Sequence, residues 1–172
     1  EKAVTEASRQ LADFLAHCSL DFIDRVEDKP FFLYLAHPLV HMPLEAEPEL
    51  IDKYKVKKGT LLHKNPIYAA MVEMLDNSVG QVVDGLGERD LLQNTIIIFA
   101  SDNGGMTGPT VRCDELDGYE LGSITSNYPL RGGKCQLWEG GIRVPMSFTF
   151  GDARGTYDSP ISQLDILPTL LD

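Results

Sequence analysis

Asn94-Thr95-Ile96-Ile97-Ile98-Phe99-Ala100-Ser101-Asp102-Asn103-Gly104-Gly105 is the stretch that decides the fold. Its first seven residues read as a buried strand, and its last five read as a polar turn. The turn places two hard oxygen ligands, Asp102 and Asn103, at the carboxyl end of that strand. Upstream lies Asn65-Pro66, an N-cap followed by proline at the first helical position. Ile67, Ala70, Met71, Met74, Leu75, Val79, Val82, Val83 and Leu86 then form one apolar helical stripe, which Gly85 and Gly87 are expected to close. Phe31 to Ala36 is a continuous apolar run, as expected of a strand covered on both faces. Before it, Val4, Ala7, Leu11, Phe14, Leu15, Cys18, Phe22 and Val26 recur at helical spacing, ended by Asp28-Lys29-Pro30.

Strand, loop, long helix, strand is a crossover pattern. The expected class is therefore α/β with a mostly parallel mixed sheet. Residues 37–65 read as irregular and include the lysine-rich stretch Lys53 to Lys58; residues 104–130 read as a long loop of the kind that is functional or mobile. Met146, Phe148 and Phe150 alternate as a further strand, and Asp165 reads as the N-cap of a helix beginning near the end of the sequence.

Bulk properties exclude several classes. The 172 residues suffice for one core, with 43% hydrophobic and 24% charged residues. The net charge of −11 argues against nucleic acid as a partner, because phosphate contacts need a basic face. The longest apolar runs are strand length, too short for a membrane helix. Cys18, Cys113 and Cys135 have neither metal-ligand spacing nor a disulfide pattern.

In open α/β sheets, ligands bind beyond the carboxyl ends of the strands. One such end carries His37 and His41; the other carries Asp102 and Asn103. A second motif, Arg131-Gly132-Gly133-Lys134, places a cation on a glycine-rich turn and runs on to Trp138-Glu139-Gly140-Gly141-Ile142-Arg143-Val144-Pro145. On local chemistry alone each has a plainer reading. Asp-Asn-Gly makes turns, His41 serves as a packing or surface histidine, Lys134 is solvated, and Arg131, Glu139 and Arg143 form a structural ion-pair set. Asp102 and Asn103 suit calcium or magnesium, but calcium takes about six to eight oxygens, so two residues leave the shell incomplete.

Five segments in order resemble the sulfatases of the alkaline phosphatase superfamily. They are Pro30-Phe31-Phe32-Leu33-Tyr34 with His41-Met42-Pro43; Tyr68 to Glu73 with Leu75-Asp76 and Val79-Gly80; Asn94 to Gly104; Pro129 to Pro145; and Asp165-Ile166-Leu167-Pro168-Thr169. The resemblance implies an arylsulfatase-like α/β sandwich that hydrolyses sulfate esters with a formylglycine nucleophile beside Ca2+, with Mg2+ as the alternative ion. It implies that Asp102 and Asn103 are metal ligands. By the same resemblance Lys134 bridges the sulfate and the leaving oxygen, and His41 hydrogen-bonds the sulfate or the leaving group. His37 matches no motif position. The implied substrate is a sulfate-ester small molecule or a sulfated glycan, and the implied setting is periplasmic, secreted or lysosomal.

The nucleophile motif, Cys-x-Pro/Ala-x-Arg, fits none of the segments at Cys18, Cys113 or Cys135, and the early Asp-Asp metal pair is missing. The resemblance therefore implies that residues 1–172 are an internal portion of a single catalytic domain. They would contribute the second half of the site, and the remainder of that domain would be their partner. Two other readings remain: a phosphonate or phosphate monoester hydrolase of the same superfamily, and a non-catalytic domain that kept the scaffold. Residues 43–64 and 104–128 are the expected specificity loops. Cys135 stands where glycine is common after the lysine.

Overall fold

A computed structural model describes residues 2–60, 62–107, 124–152 and 154–172, with side chains from residue 11 onward. Cys113, most of the second expected specificity loop, and the Val4 and Ala7 side chains lie outside the described residues. Helices α1 (Lys2–Val26), α2 (Pro48–Lys55) and α3 (Pro66–Glu88) are followed by β1 (Ile97–Ala100), α4 (Glu139–Ile142), β2 (Met146–Thr149) and α5 (Ile166–Leu171).

Helix α3 begins where its local chemistry dictates. The Asn65 side-chain oxygen accepts from the N–H groups of Ile67 and Tyr68, both at 3.0 Å, satisfying two of the orphan donors of the first turn. Gly85 and Gly87 do not end it; the helix continues to Glu88. Gly85 instead permits close packing, since a Cβ there would lie 2.4 Å from Leu20 Cδ2. The face of α1 that packs is also different from the expected stripe. Ala12, Ala16, Ser19 and Ile23 are buried, whereas Leu11 and Phe14 are exposed. Small residues win that face because α1 approaches α3 closely: Ser78 Oγ of α3 donates to Ala12 O of α1 at 2.9 Å. Arg89, just past α3, clamps both carboxylate oxygens of Asp24 on α1.

Helix α2 lies inside a segment read as irregular. Its signals were Pro48 at the start, Glu49 in the first turn, and Lys53 and Lys55 in the last, all complementary to the helix dipole. It packs on α3, with Lys53 Nζ donating to both Glu73 oxygens at 2.6 and 2.7 Å. Lys53, and Tyr54 beside it, hold the Glu73 carboxyl below its ordinary pKa. The core beneath joins Leu44, Ala46, Ala70, Met71, Met74, Met106 and Ile124, so residues flanking the glycine turn are anchored in it.

The mostly parallel sheet is not what the described residues form. Strands β1 and β2 pair antiparallel, with Ile97 opposite Thr149 and Ala100 opposite Met146. Residues 31–36 alternate half-buried and exposed positions and enter no ladder among the described residues. Phe32 is 74% exposed and Tyr34 80% exposed, so this run has one packed face rather than two. A strand requires a neighbour for its N–H and C=O groups, and none of the described residues lies alongside. At the far end Ser162, not Asp165, provides the side-chain cap. Its hydroxyl accepts from Leu164 N–H, and the Asp165 carboxylate accepts from Ser162 N–H at 2.6 Å, forming a capping box.

Candidate active site

The site grows from four glycines. The Gly104 N–H donates to Gly141 O at 2.9 Å, and the Gly140 N–H donates to Arg131 O at 2.8 Å. A Cβ on Gly104 would lie 1.8 Å from Gly140 O, on Gly133 2.5 Å from Gly105 O, on Gly140 2.2 Å from Gly132 O, and on Gly141 2.0 Å from Gln136 O. Three backbone segments thus meet at distances that no side chain permits. This locks the turn after β1 against the Arg131–Lys134 turn and against α4. The Lys134 N–H donates to Gly105 O at 3.1 Å, two residues from Asn103.

Asn127 fastens the same junction, and the sequence reading did not single it out. Its Oδ1 accepts from the Gly105 N–H at 3.1 Å, and its Nδ2 donates to Gly105 O at 2.9 Å and Gly132 O at 3.0 Å. The only sequence signal was a turn-like Ser-Asn-Tyr-Pro, which is common in loops.

On this scaffold the structure brings together His41 and Lys134, 93 residues apart. Lys134 Nζ is 2.5 Å from His41 Nε2. His41 Nδ1 lies 2.8 Å from Met42 O, and a carbonyl can only accept, so Nδ1 carries the proton. Nε2 is then the acceptor toward Lys134 Nζ. The pair needs two separate contributions, the glycine junction for Lys134 and the 37–43 segment for His41. The His41 N–H donates to Pro38 O at 2.9 Å, fixing that segment's turn.

Asp102 and Asn103 sit in the turn directly after β1. Asn103 Nδ2 donates to Gly104 O at 3.0 Å, which commits the nitrogen end of the amide and identifies Oδ1 as its acceptor end. Ser101 Oγ donates to Asn103 O at 2.9 Å, and Gln163 Nε2 donates to Ser101 O at 2.7 Å, bracing the turn from both sides. Asp102 is exposed and forms no ion pair among the described residues. A carboxylate and an amide oxygen fit a hard divalent cation. Among the described residues no cluster of three or more His, Cys, Asp or Glu side chains gathers to hold a metal.

His37 has a structural post instead. The Leu39 N–H donates to its Nδ1 at 3.2 Å, so Nε2 carries the proton and donates to Ser78 Oγ at 3.2 Å. Burial lowers its pKa from the ordinary histidine value. Of the expected ion-pair set, Arg143 pairs with Glu139 at 3.3 Å, whereas Arg131 stacks on Trp138 at 3.6 Å from the ring centre. Cys135 adopts a left-handed backbone with φ of 68°, a conformation that glycine takes up at less cost.

Known proteins are similar to this chain in sequence and in fold. The family model described as Sulfatase matches residues 4–172. A sulfatase of Formosa agariphila is 36% identical over 153 residues, covering 83% of this chain and 25% of that protein. Human arylsulfatase H is 34% identical over 166 residues, covering 94% of this chain and 26% of that protein. The crystal structure of Ps i-CgsB in complex with k-i-k-neocarrahexaose superposes with a TM-score of 0.65 at 35% identity, covering 82% of this chain and 28% of that one. The chain spans about a quarter of the length of the curated relatives it matches. With the family model matching nearly every residue, and relatives above 30% identity covering most of it, the chain belongs to the sulfatase family.

Proposed function

We propose that this chain contributes the second half of a site that hydrolyses sulfate esters. Lys134 and His41 act on the sulfate and its leaving oxygen, and Asp102 and Asn103 supply two oxygens to a calcium ion. The observation that carries the reading is the His41–Lys134 contact, built across 93 residues with Lys134 held by a glycine junction. Two turn residues with only local roles need no such convergence.

The chemistry follows from charge. As the S–O bond breaks, the leaving oxygen gains negative charge, and a positioned ammonium stabilises that charge more in the transition state than in the ground state. Lys134 Nζ is the ammonium. His41 Nε2 accepts from it while the site is free of substrate. Once a sulfate oxygen takes over the lysine's proton donation, that nitrogen can take a proton from solvent and pass it to the leaving oxygen, leaving the ring with its Nδ1 proton. The Met42 carbonyl, accepting at Nδ1, fixes the ring for both roles. A bound calcium ion would neutralise charge on the sulfate oxygens. Asp102 and Asn103 cannot fill its shell, so we propose that the remaining ligands and a formylglycine nucleophile come from residues of the same catalytic domain outside 1–172. The oligosaccharide held by Ps i-CgsB supports a glycan as the carrier of the ester.

The test is hydrolysis of a chromogenic aryl sulfate by the full-length protein, with and without calcium, alongside the matching aryl phosphate and phosphonate. The reading expects sulfate-selective turnover that is lost on chelation and in Asp102→Ala. Preference for the phosphorus esters, or activity indifferent to Asp102→Ala and to chelation, contradicts it.

A further inference from the structure

The protein is strongly acidic, yet between Asp52 and Glu73 there is no acidic residue, and Lys53, Lys55, Lys57, Lys58, His63 and Lys64 all fall there. The structure sorts these cations. Lys53 is bound to Glu73 and Lys55 to Asp52, and the Lys57 ammonium lies 4.5 Å from the centre of the Tyr54 ring. Lys58 and Lys64 are exposed and have no acidic partner among the described residues.

These two and His63 stand on one folded-back loop. The Thr60 hydroxyl oxygen accepts from the N–H groups of Leu62 at 3.3 Å and His63 at 3.1 Å. A Cβ on Gly59 would lie 2.7 Å from His63 O and 3.2 Å from Lys64 Cα, so the two arms touch. Lys58 therefore stands on one arm of the loop and His63-Lys64 on the arm that touches it.

The loop is also tied to the candidate active site. The His63 ring nitrogen Nδ1 lies 3.5 Å from the hydroxyl of buried Thr125, and the Thr125 methyl is 2.8 Å from where a Cβ on Gly105 would be. Gly105 O receives the Lys134 N–H. Thr125 and Gly105 thus link His63 to Lys134 through a continuous chain of contacts.

We propose that Lys58, His63 and Lys64 form a second sulfate subsite of this active centre, and that its substrate is a glycan carrying at least two sulfates. The proposal rests on the sulfatase reading above and extends it to the substrate. One sulfate ester is cleaved at Lys134 and His41; another, on the same or an adjoining sugar, is held by the loop. Cations on two touching arms of one loop recognise such a group with less ordering to be done on binding than cations on separate segments. The acidic remainder of the surface repels polyanions that do not present a sulfate to this loop.

The experiment uses full-length protein, the Lys58→Ala/Lys64→Ala double variant, and the Lys58→Arg/Lys64→Arg variant as the charge-retaining control. Calorimetric binding is measured with a multiply sulfated heparin hexasaccharide, its desulfated counterpart, and inorganic sulfate at matched ionic strength; turnover is measured with a monosulfated aryl ester. Exposed charge contacts of this kind support a loss of roughly tenfold in hexasaccharide affinity for the alanine variant. The proposal expects that loss, near-complete retention in the arginine variant, a shallower salt dependence, and unchanged aryl-ester kinetics. Equal hexasaccharide affinity in wild type and alanine variant overturns it, as does equal wild-type affinity for the sulfated and desulfated sugars. Binding by inorganic sulfate that matches the hexasaccharide reduces the loop to a simple anion site and also overturns it. Failure of wild-type protein to cleave the aryl ester counts against the sulfatase reading, while the binding arm still decides the subsite.

Discussion

Replacing Gly104 with alanine tests the glycine junction from which the candidate site is built. The added Cβ would lie 1.8 Å from Gly140 O, 2.7 Å from Gly140 C and 2.9 Å from Gly141 Cα. All three are backbone atoms, so no side chain can swing away. A carbon ordinarily rests about 3.5 Å from its neighbours, so the two segments must part by roughly 1.5 Å. The 2.9 Å bond from Gly104 N–H to Gly141 O cannot survive that movement, and the Gly140 N–H to Arg131 O bond is strained with it. With one buried hydrogen bond broken and another weakened, the local cost is about 3 kcal/mol. That corresponds to roughly a hundredfold faster opening. Amide hydrogen exchange over residues 101–105 and 131–143 of the full-length protein reads it directly. Gly80→Ala is the matched control: no atom lies within 4 Å of its added Cβ, and a mid-helix alanine should stabilise α3 by about 0.5–1 kcal/mol. Exchange in Gly104→Ala within about threefold of wild type would refute the reasoning.

Asn127→Ala removes one acceptor and two donors at the Gly105–Gly132 junction, so it should lower stability by about 2–4 kcal/mol and depress turnover by displacing Lys134, measured by denaturant unfolding and steady-state kinetics. His37 has a folded pKa below its unfolded value of 6.5, so the folded state binds fewer protons; its stability contribution is full above pH 6.5 and is lost as pH falls through that value toward the folded pKa. Unfolding measured at pH 7.5 and 5.5 should therefore show a drop that is smaller in His37→Asn. Cys135→Gly should stabilise by about 1 kcal/mol by relieving the left-handed backbone, read as a shift of the unfolding midpoint at unchanged slope.

What could be read from the sequence was what depends on neighbours along the chain. The start of α3 followed from Asn65-Pro66 alone, and β1 and β2 from short apolar runs. What depends on distant packing was not legible. Gly85 looks like a helix stop until Leu20 is seen against it. Phe31–Ala36 looks buried on both sides, whereas Phe32 and Tyr34 face outward. The antiparallel pairing of β1 with β2 joins segments 46 or more residues apart, and no local pattern specifies it. Of the candidate site, the position of Asp102 and Asn103 in a turn directly after a strand was visible. Family resemblance placed His41 and Lys134 at one sulfate, but their direct contact was not legible, because nothing in either segment points to the other. Asn127 was hidden because its three hydrogen bonds all reach backbone groups brought close only by the glycine junction.

The most direct test of the account is the turnover number of Lys134→Ala in the full-length protein on an aryl sulfate. A lysine that meets charge developing on the leaving oxygen acts mainly in the transition state, so kcat should fall roughly a hundredfold to a thousandfold, with a smaller change in KM. Lys134→Arg should recover little of this, since a planar guanidinium cannot occupy the place of a compact ammonium against His41 Nε2. A kcat for Lys134→Ala within about two- to threefold of wild type, the scale of an ordinary surface substitution, would contradict the account.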